Sequence, residues 1–245
     1  FVILLFFHPS GLNDQSNAVL AATIWIAIWW IFEALPIAVT ALLPIVLFPI
    51  AGGMDLAQTT ASYGHKLIFL IMGGFMIAIA IEKWNLHKRI ALNIIYFIGT
   101  DLRKIILGFM VATAFLSMWI SNTATAVMML PIGVVIIKQL KDNPNTDENE
   151  NNIFGKALML AIAYSASIGG IATLIGTPPN LVMAGIVSQV YGYEISFLEW
   201  IVFGLPVSML LLAICWVYLT RNAFTFKQDK FPDGREEILR LKNEL

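Results

Sequence analysis

Long uncharged apolar stretches, separated by short charged clusters, organise this chain. No Asp, Glu, Lys or Arg occurs in 67–81, 105–137 or 157–193, and 20–54 contains only Glu33. Apolar runs of that length are expected of membrane-embedded helices. The pattern predicts an all-α membrane protein with embedded segments over 20–50, 64–82, 105–137, 157–188 and 199–220. Residues 86–100 follow a basic cluster and read as an amphipathic helix lying along the membrane interface. Composition agrees: 58% of the 245 residues are hydrophobic and 13% charged, against about 25% charged in an ordinary soluble domain. A net charge of -1 without a basic surface excludes a nucleic-acid binder, and one cysteine excludes a disulfide-stapled domain. The apolar run 1–7 is too short to cross a bilayer, and neither a basic start nor a small-residue cleavage site accompanies it. It reads as the remainder of a longer first span.

The positive charges assign sides. Lys83, Lys88, Arg89, Arg103 and Lys104 cluster between 83 and 104, and Lys138, Lys141 and Lys156 flank the polar loop at 138–156. Arg221, Lys227, Lys230, Arg235, Arg240 and Lys242 follow the last apolar run, and only Lys66 falls on the other side. Lys and Arg concentrate in cytoplasmic loops, so 105–137 has cytoplasmic flanks at both ends. Two full crossings need about 40 residues, more than this segment holds. A re-entrant helical hairpin with arms of about 16 residues fits, each reaching about 24 Å at 1.5 Å per residue. Its centre is Ser121, within Trp119-Ile120-Ser121-Asn122-Thr123-Ala124, so polar residues sit where a turn is required.

Segment 157–188 runs from a positive flank to an uncharged one and crosses once, interrupted by Gly176-Thr177-Pro178-Pro179-Asn180. Tandem prolines remove backbone donors and bar the preceding residue from helical geometry. A broken membrane helix is expected only where it is buried in protein or lines a cavity. Segment 20–50 reads either as a short excursion broken around Glu33-Ala34-Leu35-Pro36 or as one tilted crossing.

Both breaks expose backbone groups that need partners, because an unpaired end in hydrocarbon costs several kcal/mol. Orphan carbonyls, hydroxyls and a carboxamide oxygen suit a hard cation such as Na⁺. Helix N-termini suit an anion. Ser117 precedes Ser121 by four residues, which puts both hydroxyls on one face of a helix. Asn122 adds an amide oxygen, and Thr123 and Thr125 open the departing arm, where hydroxyls also cap helices. In the second break, carbonyls near Thr173 and Gly176 are freed, with Thr177 and Asn180 nearby. Neither segment holds a carboxylate, Lys or Arg, which favours weak, reversible ion binding over a permanent metal site.

Ser121-Asn122-Thr123 on a hairpin, followed by Ile175-Gly176-Thr177-Pro178-Pro179-Asn180, resembles the divalent anion/sodium symporter family. The stretch Trp29 to Pro44 is also similar to that family's early spans, so the resemblance covers about 20–220. It implies an inverted-repeat secondary transporter with a re-entrant hairpin and a broken transmembrane helix. Such a carrier is a homodimer in a bacterial plasma membrane and moves dicarboxylates, citrate or sulfate with Na⁺ by an elevator motion. Carried over by motif, Ser117, Ser121, Asn122 and Gly176 would bind sodium, and Asn122, Thr123, Thr177 and Pro178 the substrate. Residues 1–100 would form scaffold spans and the interfacial helix, 101–220 the transport-domain part, and 221–245 a cytoplasmic connector to a second repeat. Only one Ser-Asn-Thr hairpin occurs here, so the chain would supply half of the substrate site. The expected partners are a small anion, membrane lipid, the second repeat and a second copy. An anion channel, whose filters also use re-entrant half-helices, is the rival; a sodium-independent exchanger is the other.

The remaining candidates read as structural. His8, His65 and His87 fall in loops or interfaces, away from any relay, and no base shares the membrane with Ser121, so the chain is not read as an enzyme. Trp25, Trp29, Trp30 and Trp200 read as interfacial anchors, Cys215 as a small apolar filler, and 138–156 as a solvated loop. Glu33 is either an intramembrane carboxylate or one reaching the headgroups.

Overall fold

The computed structural model describes residues 9, 11–99, 101–142, 148–226 and 239–240, with backbone alone at 139–142 and 148–150. The run 1–7, His8, the centre of the 138–156 loop and most of 221–245 lie outside the described residues. Among those described, the regular structure is helical: α1 Asp14–Phe32, α2 Ile37–Thr40, α3 Leu43–Ile50, α4 Leu56–Tyr63, α5 Lys66–Lys83 and α6 Leu86–Ile98. Then follow α7 Leu102–Ser117, α8 Asn122–Asp142, α9 Glu148–Ile171, α10 Pro178–Tyr191, α11 Phe197–Val217 and a π-helical extension, Tyr218–Ala223. Four stretches among the described residues are long and apolar enough to cross a membrane: Asp14–Phe32, Leu56–Lys83, Asn151–Ile171 and Phe197–Ala223. The chain divides into two compact units, Phe1–Phe69 and Leu70–Leu245.

In the first unit the polar ends of the helices are capped by side chains. Asn13 accepts from the Ser16 N–H at 2.8 Å, and Asp55 accepts from the Gln58 N–H at 2.6 Å, each satisfying an orphan donor of a first turn. Glu33 ends α1 in the left-handed region, at φ 47, and the chain resumes as helix after Pro36. The break expected around Glu33-Ala34-Leu35-Pro36 is therefore present, and the Glu33 side chain is exposed there. The Tyr63 hydroxyl donates to the Ala41 carbonyl at 2.6 Å, joining α4 to the α2–α3 corner.

The second unit is built around α7. Eleven of its sixteen positions are buried, from Leu102 to Ser117, packed among α6, α8 and α9. The amphipathic α6 lays His87, Ala91, Leu92 and Ile95 inward, a one-face spacing typical of a surface helix. His87 is thus a buried residue of that face rather than a loop residue. The loop read over 138–156 is also shorter than expected. Helix α8 runs on to Asp142 and α9 already begins at Glu148. Phe154, early in α9, joins the core.

Candidate functional site

Two non-helical segments meet inside the second unit. The first is Met118–Ser121 between α7 and α8; the second is 172–177 between α9 and α10. The prolines do not interrupt a helix from within. They occupy the first positions of α10, where a missing N–H is an orphan donor in any residue. Thr177 before them is extended, φ -149 and ψ 141, as the residue preceding a proline must be.

Side chains tie the two breaks together. The Thr173 hydroxyl donates to the Met118 carbonyl, across 55 residues of chain, and accepts the Gly176 N–H at 3.1 Å. The Asn180 carboxamide donates to the Gly170 carbonyl at 2.9 Å and to the Thr173 carbonyl at 2.7 Å. It thereby supplies donors that Pro178 and Pro179 lack. The carbonyl of Thr173, expected to be free for a ligand, is consequently engaged. Two further ties come from α11: the Trp200 indole N–H donates to the Ile171 carbonyl and the Ser208 hydroxyl to the Ile168 carbonyl, both at 2.9 Å. Trp200 is a buried brace of the broken helix, not the interfacial anchor its residue type suggested.

Most residues of the expected sodium site come together. The Ser117 hydroxyl, fully buried, lies 2.6 Å from the Ala166 carbonyl oxygen and 2.8 Å from Asn122 Oδ1. The Asn122 carboxamide sits against the bare Cα of Gly170; any Cβ there would overlap Oδ1. Gly176 approaches the Gly170 backbone equally closely, a Cβ on it falling 2.5 Å from the Gly170 carbonyl oxygen. Ser117, Asn122, Gly170 and Gly176 therefore form one continuous contact chain. Ser121 does not share a helix face with Ser117, because α7 ends at Ser117 and the turn intervenes. Its hydroxyl instead accepts the Ala124 N–H at 3.4 Å and caps α8.

The residues expected to meet substrate are more open. Thr123 and Pro178 are exposed, while Asn122 and Thr177 are half-buried, and the Thr177 hydroxyl makes no capping bond to α10. Each stands in the first turn, or at the cap, of a helix whose leading N–H groups carry partial positive charge. Among the described residues no cluster of His, Cys, Asp or Glu is able to hold a metal ion. Residue types alone give Thr173 only as the place of a freed carbonyl, Asn180 as a nearby polar group and Trp200 as an interfacial anchor. The signal available was their spacing from the freed carbonyls, which has meaning only once the path of the break is known.

Irregular backbone buried between the helices of a multi-pass membrane protein is a feature of transporters and channels. The particular family follows from likeness to known proteins: the citrate transporter family matches residues 27–241, and the chain belongs to it. It is 50% identical over 244 residues, 99% of its length, to the sodium-dependent dicarboxylate transporter SdcS of Staphylococcus aureus strain USA300. The same identity and coverage hold for SdcS of strain bovine RF122 / ET3-1. In both cases the match covers 47% of the relative, so the chain spans about half the length of the curated relatives it matches. These likenesses agree with the resemblance carried by the Ser-Asn-Thr and Gly-Thr-Pro-Pro-Asn motifs, and they are to transporters, not enzymes.

Proposed function

We propose that this chain supplies one half of the binding site of a sodium-coupled symporter for small di- or trivalent anions, C4-dicarboxylates, citrate or sulfate. On this reading α7 and α8 form a re-entrant hairpin, α9 and α10 a broken transmembrane helix, and a second, inverted repeat completes the site. Residues 101–220 move as the transport-domain part of an elevator against a scaffold of residues 1–100, with 221–245 as the connector and a second copy as dimer partner.

The observation that carries the reading is the Ser117–Asn122–Gly170–Gly176 contact chain between the two breaks. A serine hydroxyl has one proton, and Ser117 has two acceptors within reach, the nearer being Ala166. If Ser117 donates to Ala166, the Asn122 carboxamide is better placed with Nδ2 donating to the Ser117 oxygen. The two ends of a carboxamide are nearly isosteric, so this orientation is open to it. Oδ1 is then released from Ser117, a neutral oxygen of the kind a hard monovalent cation selects. Sodium there would place positive charge beside the first turns of α8 and α10, where Thr123 and Thr177 offer hydroxyls to an anion.

Uptake of a labelled C4-dicarboxylate into liposomes by the full-length protein tests the reading. Uptake should require Na⁺, saturate and support counterflow, and Asn122→Ala should weaken dependence on both Na⁺ and substrate. Undiminished uptake without Na⁺ would exclude the symporter, and non-saturating flux would point to a channel.

A further inference from the structure

Three fully buried hydroxyls in the second unit have no hydrogen-bond partner: Thr113 on α7, Thr125 on α8 and Ser165 on α9. A hydroxyl so placed normally bonds a carbonyl of its own helix or a neighbour, and leaving it unmade is unfavourable. Neighbouring hydroxyls show that ordinary solution, at Ser117 of α7 and at Thr173 in the second break. Three exceptions on three different helices therefore need a common explanation.

Helix register brings them to one layer. Thr113 precedes Ser117 by four residues and so shares the face that meets Asn122 and Ala166. Thr125 follows Asn122 by three residues, one turn down the departing arm. Asn122 packs on Gly170, and Gly133 on the Met159 and Ile162 side chains, so α8 and α9 run antiparallel in fixed register. Gly169 packs on Ala114, and Ser165 lies four residues before it on the same face. All three hydroxyls thus fall within about one turn of each other, one turn below the Ser117–Asn122 contact.

We propose that Thr113, Thr125 and Ser165 form a second cation site, beneath the first and free of carboxylates, that takes a dehydrated small monovalent cation, sodium. This inference rests on the symporter reading and extends it to a further ion. Each oxygen would turn a lone pair to the ion and its proton away from it. No water-sized void reaches these oxygens, and a bare ion fits a smaller space than water does.

The test uses the full-length protein in liposomes, with Thr113→Val, Thr125→Val and Ser165→Ala, which remove oxygens but little volume, and Thr125→Ser as the variant that keeps its oxygen. The sodium concentration for half-maximal uptake should rise about tenfold in the three deletions, with lowered cooperativity in sodium. Thr125→Ser should behave as the parent protein. Should a Val variant fail to fold, Ser165→Ala alone carries the same expectation. Unaltered half-saturation and cooperativity in the deletions, alongside lost sodium dependence in Asn122→Ala, would leave the upper site standing and overturn this one. A parent protein indifferent to sodium would overturn the symporter reading and this inference together.

Discussion

Helices α7 and α11 are both largely apolar, α11 the more so, and their surroundings are opposite. In α11 the buried residues are Trp200, Gly204 and Ser208, spaced by four along one narrow stripe. Among its other positions, Leu198, Val202, Phe203, Met209 and Leu210 are exposed. Shorter than a full span, α7 is instead buried over most of its circumference. The helix that ends at the candidate site is thus the shorter and the more buried of the two, with Thr113 and Ser117 turned inward. Even the stripe of α11 serves the site, since two of its three residues hold carbonyls at the end of α9.

The sharpest break of this comparison is expected at Gly170. Gly170→Val should displace the Asn122 carboxamide and abolish sodium-dependent uptake, with overpacking adding about 1–3 kcal/mol of destabilisation; uptake and thermal melting in detergent would measure both. Next is Asn180→Leu, which strands the Gly170 carbonyl at about 1–3 kcal/mol and leaves the Thr173 carbonyl only the long 3.4 Å bond from the Gly176 N–H. A melting temperature equal to that of the parent would show that the break does not depend on this brace. Trp200→Phe keeps an aromatic ring but removes the hydrogen bond to Ile171 and part of the buried indole, an expected loss of about 1–3 kcal/mol. A smaller effect should come from acidification at His87. Burial holds its imidazole pKa below the ordinary value of about 6.5, so the folded state binds its proton less readily than the unfolded one. Stability should be complete above about pH 6.5 and decline as the pH falls below it, and His87→Gln should flatten that decline. Last, Leu198→Ala on the exposed face of α11 should change stability by no more than about 0.5 kcal/mol.

Much of the fold was legible along the chain because the bilayer requires length and apolarity of any segment that enters it. The turn at Ser121, the interruption near Gly176, the bend at Glu33 and the amphipathic α6 all appear where charge and proline placed them. The errors share one cause. Trp200 was assigned by its residue type, Ser121 by a helical spacing that the turn interrupts, and 138–156 by its polarity. In each case the deciding fact was a partner remote in sequence or a helix boundary set by packing.

Charge-free runs, prolines and hydroxyls arranged along one dimension determined that this is a multi-pass helical membrane protein with two interruptions, because lipid forbids unpaired backbone wherever the chain meets it. Only the tertiary structure decided which carbonyls those interruptions leave free and which Thr173, Asn180, Trp200 and Ser208 take up. A hydrogen bond depends on a few tenths of an ångström and on direction, and neither is encoded in spacing along a chain. Those quantities arise only when Gly170 and Gly176 let separate helices come into contact.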